Sequence, residues 1–457
     1  MLEPAPASGR APGAGRTPPG AVHTVPRVLR VPRLPLVPDP LRRIRVPKDL
    51  QAVTDVGQER DPEAVGLSER TVERIWAAGC ALYRTGVHPA LQLCVRRHGE
   101  VVLDRAVGHA RGNGPQDEPD TPKVPLQTDT PFCVFSASKA ITALVIHLLQ
   151  EKGALDICDK VTDYIPEYAA HGKGETTIAH VLAHRAGVPG LPKAALDLDR
   201  VNDREFLTRT ICEAKPFVKP GTLLAYHAVS GGFILGEIVW RVTGKPISEI
   251  LAEEILDPLD FRWGNYGVAR PDVDRVGLNY VTGPPLLPPL SNLVKRVLTL
   301  PLDEVVEISN DPRFMSSLIP GANLITSGNE LSRFFEIFRC GGELDGVRVM
   351  ETETLRRALT EQSRLEIDLS LGFPTRFSYG LMLGAKVLSP FGLDTDKAFG
   401  HLGLINMMGY ADPERGISVG LTTSGKAVVY PEVHRFYGVM QRIASEVRKV
   451  PESERMI

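Results

Sequence analysis

The 457-residue chain lacks a paired-cysteine pattern, a long apolar run and a strong net charge. Its six cysteines are scattered with no C-x-x-C pair, which is not the spacing of a zinc site or a disulfide framework. No run of 18 apolar residues occurs, which argues against a membrane-spanning helix. A formal net charge of −2 predicts neither a nucleic-acid binder nor a strongly acidic protein. We expect the cysteines to be mostly reduced and buried.

The N-terminal segment also lacks the apolar core of a secretory signal, so we expect a cytoplasmic protein, with membrane association left open. Residues 1–48 hold 11 of the 38 prolines and nine Lys or Arg against two acidic residues. This composition predicts a disordered or extended basic arm. The arm is either a solvated tail or, because apolar residues alternate with its arginines, a contact for an anionic membrane surface.

The remainder of the chain has the pattern of a folded enzyme. The sequence predicts an α/β region formed by residues 66–135 and 330–457. It contains a helix capped by Ser68, a hairpin, and later strands covered by a last helix. Residues 136–329 predict a mostly helical region, and they include an irregular, proline-rich segment at 262–320. Within that segment, residues 293–300 form an amphipathic stretch. It is either an ordinary packed helix or a cap over a hydrophobic acyl pocket.

The first candidate for chemistry is Ser136-Ala-Ser-Lys139, at the start of an apolar helix. Residues at i and i+3 share one helical face, so the Lys139 amine is expected beside the Ser136 hydroxyl, where it can take the proton of a weak nucleophile. The pattern is common by chance and needs further support. His180 and His184 stand at i and i+4, but no third ligand or H-E-x-x-H pattern accompanies them. We expect no metal and no organic cofactor.

Support comes from two later motifs and their order: Tyr226, 90 residues after Ser136, and then His401-Leu-Gly403. With these motifs and flanking phrases such as LAHRAGVPGLP and GGFILGEIVWRVTG, the chain resembles the β-lactamase-related serine hydrolases. That group comprises class C β-lactamases, D,D-carboxypeptidases and family VIII carboxylesterases. The resemblance covers roughly residues 66–445. It implies an α+β fold: an antiparallel sheet flanked by helices and built from both chain ends, with a mostly helical region inserted and the site at the junction.

The resemblance also implies roles. Ser136 is the acylated nucleophile, Lys139 its general base or proton relay, and Tyr226 the residue that passes protons among nucleophile, leaving group and water. The backbone N–H groups of Ser136 and Leu404 form the oxyanion hole, where one donor is typically worth about 3 kcal/mol. His401 and Gly403 occupy the place of the K-T-G strand. Since a tyrosine has an ordinary pKa of about 10, we expect cations such as Lys139 to favour its phenolate.

Two departures narrow the chemistry that the resemblance implies. Ala228 stands where the family usually has the Asn of Y-x-N, which in lactamases helps hold the amide side chain of the substrate. His401 replaces the lysine that helps bind its carboxylate. We therefore expect a serine carboxylesterase or lipase-like hydrolase acting on a small-molecule ester. The alternatives are a β-lactamase or D-amino-acid peptidase, an acyltransferase using the same acyl-enzyme, and a catalytically silent binding relative. No nucleic-acid partner is expected, and the oligomeric state is left open.

Overall fold

The computed structural model describes residues 39–455 and 457. Most of the predicted basic arm, residues 1–38, lies outside the described residues. The arm's last residues, 39–48, pack against the fold: Ile44 is buried and its N–H donates to Gly86 O at 2.8 Å. Arg43 pairs with Glu432 at 3.0 Å. The folded part of the chain therefore begins earlier than the residue 66 that the sequence predicts.

The strands and α-helices are numbered here in chain order. The strands are β1 Thr54–Val56, β2 Ala90–Arg97, β3 Glu100–Arg111, β4 Val124–Pro125, β5 Phe132–Cys133, β6 Asn265–Tyr266, β7 Leu324–Thr326, β8 Glu343–Leu344, β9 Val347–Arg348, β10 Glu366–Ile367, β11 Pro374–Thr375, β12 Met382–Leu383, β13 Phe399–Leu402, β14 Met408–Asp412 and β15 Ile417–Thr423. The helices are α1 Glu69–Tyr83, α2 Ser138–Glu151, α3 Val161–Tyr164, α4 Ile178–Leu182, α5 Arg204–Glu213, α6 Ser230–Thr243, α7 Ile247–Leu251, α8 Leu290–Leu298, α9 Leu302–Ser309, α10 Pro312–Met315, α11 Gly328–Arg339, α12 Thr352–Ala358 and α13 His434–Glu446.

The main sheet is antiparallel and joins the two ends of the chain. Its strand order is β1-β3-β2-β15-β14-β13-β12, with β4 paired to β3. The first hairpin, β2 and β3, meets the C-terminal strands because β2 pairs along its length with β15, from Arg97 opposite Ile417 to Leu91 opposite Thr423. The expected α+β fold, with a sheet built from both chain ends, is confirmed.

The sheet is covered by helices on both faces. On one face α1 and α13 pack together over a core that includes Val95, Val419 and Leu421. On the other face α11 packs on β2, β14 and β15. Alternate residues point to opposite faces of a strand, so Gly420 faces α11, and a Cβ there would lie only 2.0 Å from Gly328 O. The glycine is what lets the helix approach so closely.

The helical region lies between β5 and β7 in sequence and is centred on α2. Every residue of α2 from Ser138 to Leu149 is buried, which explains why this helix is apolar on nearly every side. It contacts α6, α7 and α12, and its N-terminus lies next to β13. Along residues 39–455, no helix is long and apolar enough to cross a bilayer. The serine turn at the start of α2 therefore sits where the helical region meets the sheet.

Candidate active site

Ser136 lies in a single 3₁₀ turn, Phe135–Ala137, immediately before α2. The preceding residue, Phe135, has a left-handed φ of 47°, which is unfavourable for a non-glycine residue. Ser138 holds this turn in place: its hydroxyl donates to Phe135 O and accepts from Leu324 N at 2.9 Å. The sequence does not point to this role for Ser138. The turn fixes Ser136 at the N-terminal, electropositive end of a buried helix.

Lys139 stands beside the serine, as the i, i+3 spacing predicts. Its Nζ lies 3.2 Å from Ser136 Oγ and donates to two carbonyl oxygens, Ala228 O at 2.7 Å and Gly321 O at 2.8 Å. A neutral amine has two N–H groups and one lone pair. The two carbonyls occupy the N–H groups, and the lone pair is left for the serine proton. Within the described chain, no carboxylate forms an ion pair with Lys139.

The protonation of Lys139 follows from this burial. The side chain is 8% exposed, and burial lowers its pKa to about 7 because the charged form loses its hydration. Near neutral pH, a large fraction of the lysine is thus the free amine. A group with this pKa is suited to act as a general base at the same pH.

Tyr226 lies in the same site as the serine, but the protonation state of its hydroxyl differs from the one expected. Tyr226 and Ser136 line the same cavity, and Lys139 Nζ lies over the tyrosine ring, 4.9 Å from the centroid. Burial raises the tyrosine pKa, and the polar Ser136 side chain nearby only partly opposes this effect. The expectation that nearby cations favour the phenolate is wrong for this structure. The tyrosine is buried, and burial also lowers the pKa of Lys139 and His401, so neither supplies a fixed positive charge.

Side chains distant in sequence hold Tyr226 in place, and among them the sequence analysis missed Asp368. The buried Asp368 accepts from the backbone N–H of Tyr226 at 3.0 Å, and also from Ser370 and Leu371. The ring of His184 packs against the tyrosine ring, with 4.6 Å between centroids. His184 Nδ1 accepts from His227 N at 3.2 Å, so both histidines have structural contacts around the tyrosine.

His401 lies on β13 and faces the same site. The ring of His401 is 6.2 Å from that of Tyr226, and its Nδ1 lies 2.7 Å from Leu402 O, which assigns the proton to Nδ1. Nε2 is then an acceptor, and it is buried without a hydrogen-bond partner in the described part of the molecule. Burial, followed by the nearby Lys139, lowers the pKa of His401 to about 3. The imidazole is therefore neutral at physiological pH.

Gly403 and Leu404 complete the site at the end of β13. Gly403 N donates to Met407 O at 3.0 Å, which closes the turn between β13 and β14. Leu404 borders both cavities next to Ser136, and its N–H has no acceptor among residues 39–455. An unpaired N–H at the serine is what an oxyanion hole requires. The structure thus brings the six predicted residues Ser136, Lys139, Tyr226, His401, Gly403 and Leu404 into one region.

Gly403→Ala tests how closely the serine turn and β13 must approach. A Cβ at Gly403 would lie 2.6 Å from Val134 O and 2.9 Å from Met407 Cβ, so the strand end has to move away from the turn. Because a shift of about 1 Å can cost roughly 100-fold in rate, we expect a loss of that order in kcat. The expected loss of folding stability is about 1–3 kcal/mol. Gly190→Ala is the matched control, since its Cβ meets nothing within 4 Å. Unchanged kcat in Gly403→Ala would contradict this placement.

Two cavities meet at Ser136 and Leu404. The larger, of about 420 Å³, is lined by Tyr226, His401 and the apolar face of α8. The smaller cavity, of about 80 Å³, lies next to Ala228, and apart from Ser136 its lining side chains are apolar. Among the described residues that line either cavity there is no Lys, Arg, Asp or Glu. The larger volume is in the range of small-molecule sites.

Comparison with known proteins places this site in a family context. The family model described as Beta-lactamase matches residues 69–437, which include all six site residues. The chain is 29% identical over 326 residues to Esterase/beta-lactamase LipL of Mycobacterium tuberculosis, which covers 65% of this chain and 70% of LipL. It is 28% identical over 207 residues to Esterase EstB of Burkholderia gladioli, covering 42% and 50% of the two chains. The structure of a family VIII carboxylesterase superposes with a TM-score of 0.69 at 26% identity, covering 82% of this chain and 98% of that one.

Proposed function

The chain belongs to the beta-lactamase family, and from that premise we propose that it is a serine esterase that cleaves neutral carboxylic esters through an acyl-enzyme on Ser136. The observation that carries the proposal is the neutral lining of the cavities beside the serine. The position that holds a carboxylate-binding lysine in lactamases is occupied here by His401, an imidazole with a pKa of about 3. A substrate carboxylate would meet no cation there.

The first half-reaction starts with Lys139 as the free amine. As Ser136 Oγ attacks the ester carbonyl, the hydroxyl proton moves to Lys139 Nζ, and the two carbonyls of Ala228 and Gly321 hold the resulting ammonium. The negative oxygen that forms on the substrate is stabilised by the N–H groups of Leu404 and Ser136. The carbon–oxygen bond to the alcohol then breaks, leaving an acyl group on Ser136.

The leaving alcohol needs a proton, and Tyr226 is placed to give it. Because its pKa is raised, the tyrosine keeps its proton in the resting enzyme, and it lines the same cavity as the attacking serine. Tyr226 donates to the leaving oxygen and recovers a proton from the Lys139 ammonium. In the second half-reaction, water attacks the acyl carbon and gives a proton to the Lys139–Tyr226 pair. That proton passes to Ser136 Oγ as the acyl–oxygen bond breaks and the acid leaves. Lys139 and Tyr226 share this proton, so apparent pKa values belong to the pair.

The names of the similar proteins support ester cleavage but do not select the substrate, so the test compares substrates that differ in one charge. The probes are p-nitrophenyl butyrate and the p-nitrophenyl monoester of glutaric acid, which carries a terminal carboxylate. We expect kcat/KM at least about 100-fold higher for the neutral ester, because an unpaired carboxylate loses its hydration in the cavity.

A chromogenic cephalosporin, which also carries a carboxylate, is the second probe, and we expect little turnover. A cephalosporin kcat/KM that equals or exceeds that of the best ester would overturn the esterase assignment. A fluorophosphonate that fails to label the wild type, together with no turnover of any ester, would identify a catalytically silent relative.

A further inference from the structure

An exposed apolar groove lies next to the 420 Å³ cavity that holds Ser136 and shares lining residues with it. Its volume is about 670 Å³, and six large apolar side chains on its wall are at least 49% exposed: Leu365, Phe373, Val387, Leu388, Leu393 and Tyr437. We call these six residues the rim. Val387 and Leu388 are 70% and 76% exposed, so much of their apolar surface faces water. A group of exposed apolar side chains on this scale marks an interaction surface in most soluble proteins.

The rim is continuous with the candidate active site. Phe373, Met382, Leu402 and Tyr437 border both the groove and the cavity that holds Ser136. A protein bound over the rim would cover this approach to the serine. A lipid layer would instead present its esters and acyl chains at the groove. The continuity therefore favours a lipid surface over a protein partner.

The charges next to the rim favour the same occupant. Arg364, Lys386 and Arg435 are exposed and adjacent in sequence to groove-lining residues, and none of them forms an ion pair within the described part of the chain. Three acidic residues near the groove are already paired: Glu361 with Arg376, Glu366 with Arg185, and Asp394 with Lys449. An apolar surface flanked by unpaired basic groups complements an acyl layer with anionic headgroups.

We propose that the rim docks on an anionic lipid surface and that the groove passes apolar esters from that surface to Ser136. The docking step is a property of the surface, whereas delivery to Ser136 rests on the proposed esterase function. The residues of the rim lie between positions 365 and 437, so none of them belongs to the basic N-terminal arm.

The test is co-sedimentation of the full-length chain with vesicles of phosphatidylcholine and phosphatidylglycerol. The variant is Val387→Ser with Leu388→Ser, and the matched control is Val56→Ser with Val124→Ser, which replaces two exposed valines on β1 and β4, away from the groove. We expect the wild type and the control to bind, the rim variant to bind at least tenfold more weakly, and added salt to weaken the wild type. Because Val387 and Leu388 do not line the catalytic cavity, turnover of p-nitrophenyl butyrate is expected to stay within twofold in both variants.

The outcomes separate docking from catalysis. Ser136→Ala is expected to bind vesicles like the wild type, so a failure of the esterase proposal leaves the docking result readable. Equal vesicle binding by the rim variant and the wild type would overturn the proposal, as would no binding by the wild type. A third outcome is a wild type that is a dimer and does not bind vesicles, with a rim variant that is a monomer. This result would identify the rim as a contact between copies of this chain.

Discussion

Ser136→Ala is expected to lose ester turnover by roughly 10⁴-fold or more, because the change removes the atom that forms the acyl-enzyme. Alanine lacks only the hydroxyl, and the turn is held by Ser138 and by backbone bonds that the change does not touch. The far-ultraviolet circular dichroism and the thermal midpoint should therefore match those of the wild type. The measurement is kcat/KM on p-nitrophenyl butyrate.

Ser445→Ala is the control for a serine-to-alanine change, since Ser445 is exposed on α13 and donates only to Arg442 O. It should keep full activity. Turnover by Ser136→Ala within tenfold of the wild type would mean that another group is the nucleophile or that water attacks directly.

The second large effect is the dependence on Lys139 and on pH. Since the free amine is the base and its pKa is about 7, kcat/KM should rise about tenfold per pH unit well below 7 and level off above it. Lys139→Arg keeps the charge but has no accessible neutral form, so we expect a loss of roughly 10³-fold or more that a higher pH does not restore.

A kcat/KM that falls with rising pH would indicate that the charged form of Lys139 is needed. If a Lys139 cation were needed to hold a Tyr226 phenolate, kcat/KM would fall as the pH rises through about 7. Lys139→Arg would then retain much of its activity. Either result would exclude the free amine as the base. The pH profile therefore decides whether Lys139 or Tyr226 is the base.

The parts of the site that the sequence predicts are those set by local geometry or by motif order. Ser136 and Lys139 lie one helical turn apart, so their contact follows from helix formation alone. Tyr226 precedes His401-Leu-Gly403 along the chain, which is the motif order of the family that the sequence resembles. The structure places these residues around one cavity. The periodicity of the sequence likewise predicts the first hairpin and the last helix.

The parts that the sequence does not predict depend on burial and on distant contacts. Asp368 lies 142 residues after Tyr226 and shows no local motif, although it holds the tyrosine backbone. Strand β14 is not predicted because its sequence, which begins Met-Gly-Tyr, does not alternate between polar and apolar residues. The alternation is absent because every residue of the strand is buried. The expected direction of the Tyr226 pKa is wrong for a related reason: a nearby lysine is visible in sequence, but its burial is not.

The most direct test of the account is to locate the covalent intermediate. The wild type is mixed with p-nitrophenyl butyrate, quenched in acid during the first turnovers, digested and mapped by mass spectrometry, with a fluorophosphonate-treated sample in parallel. We expect a butyryl group and a phosphonyl group on Ser136 in the peptide that also contains Lys139, and neither in Ser136→Ala. An adduct on a different residue, or rapid ester turnover with Ser136 never modified, would contradict it.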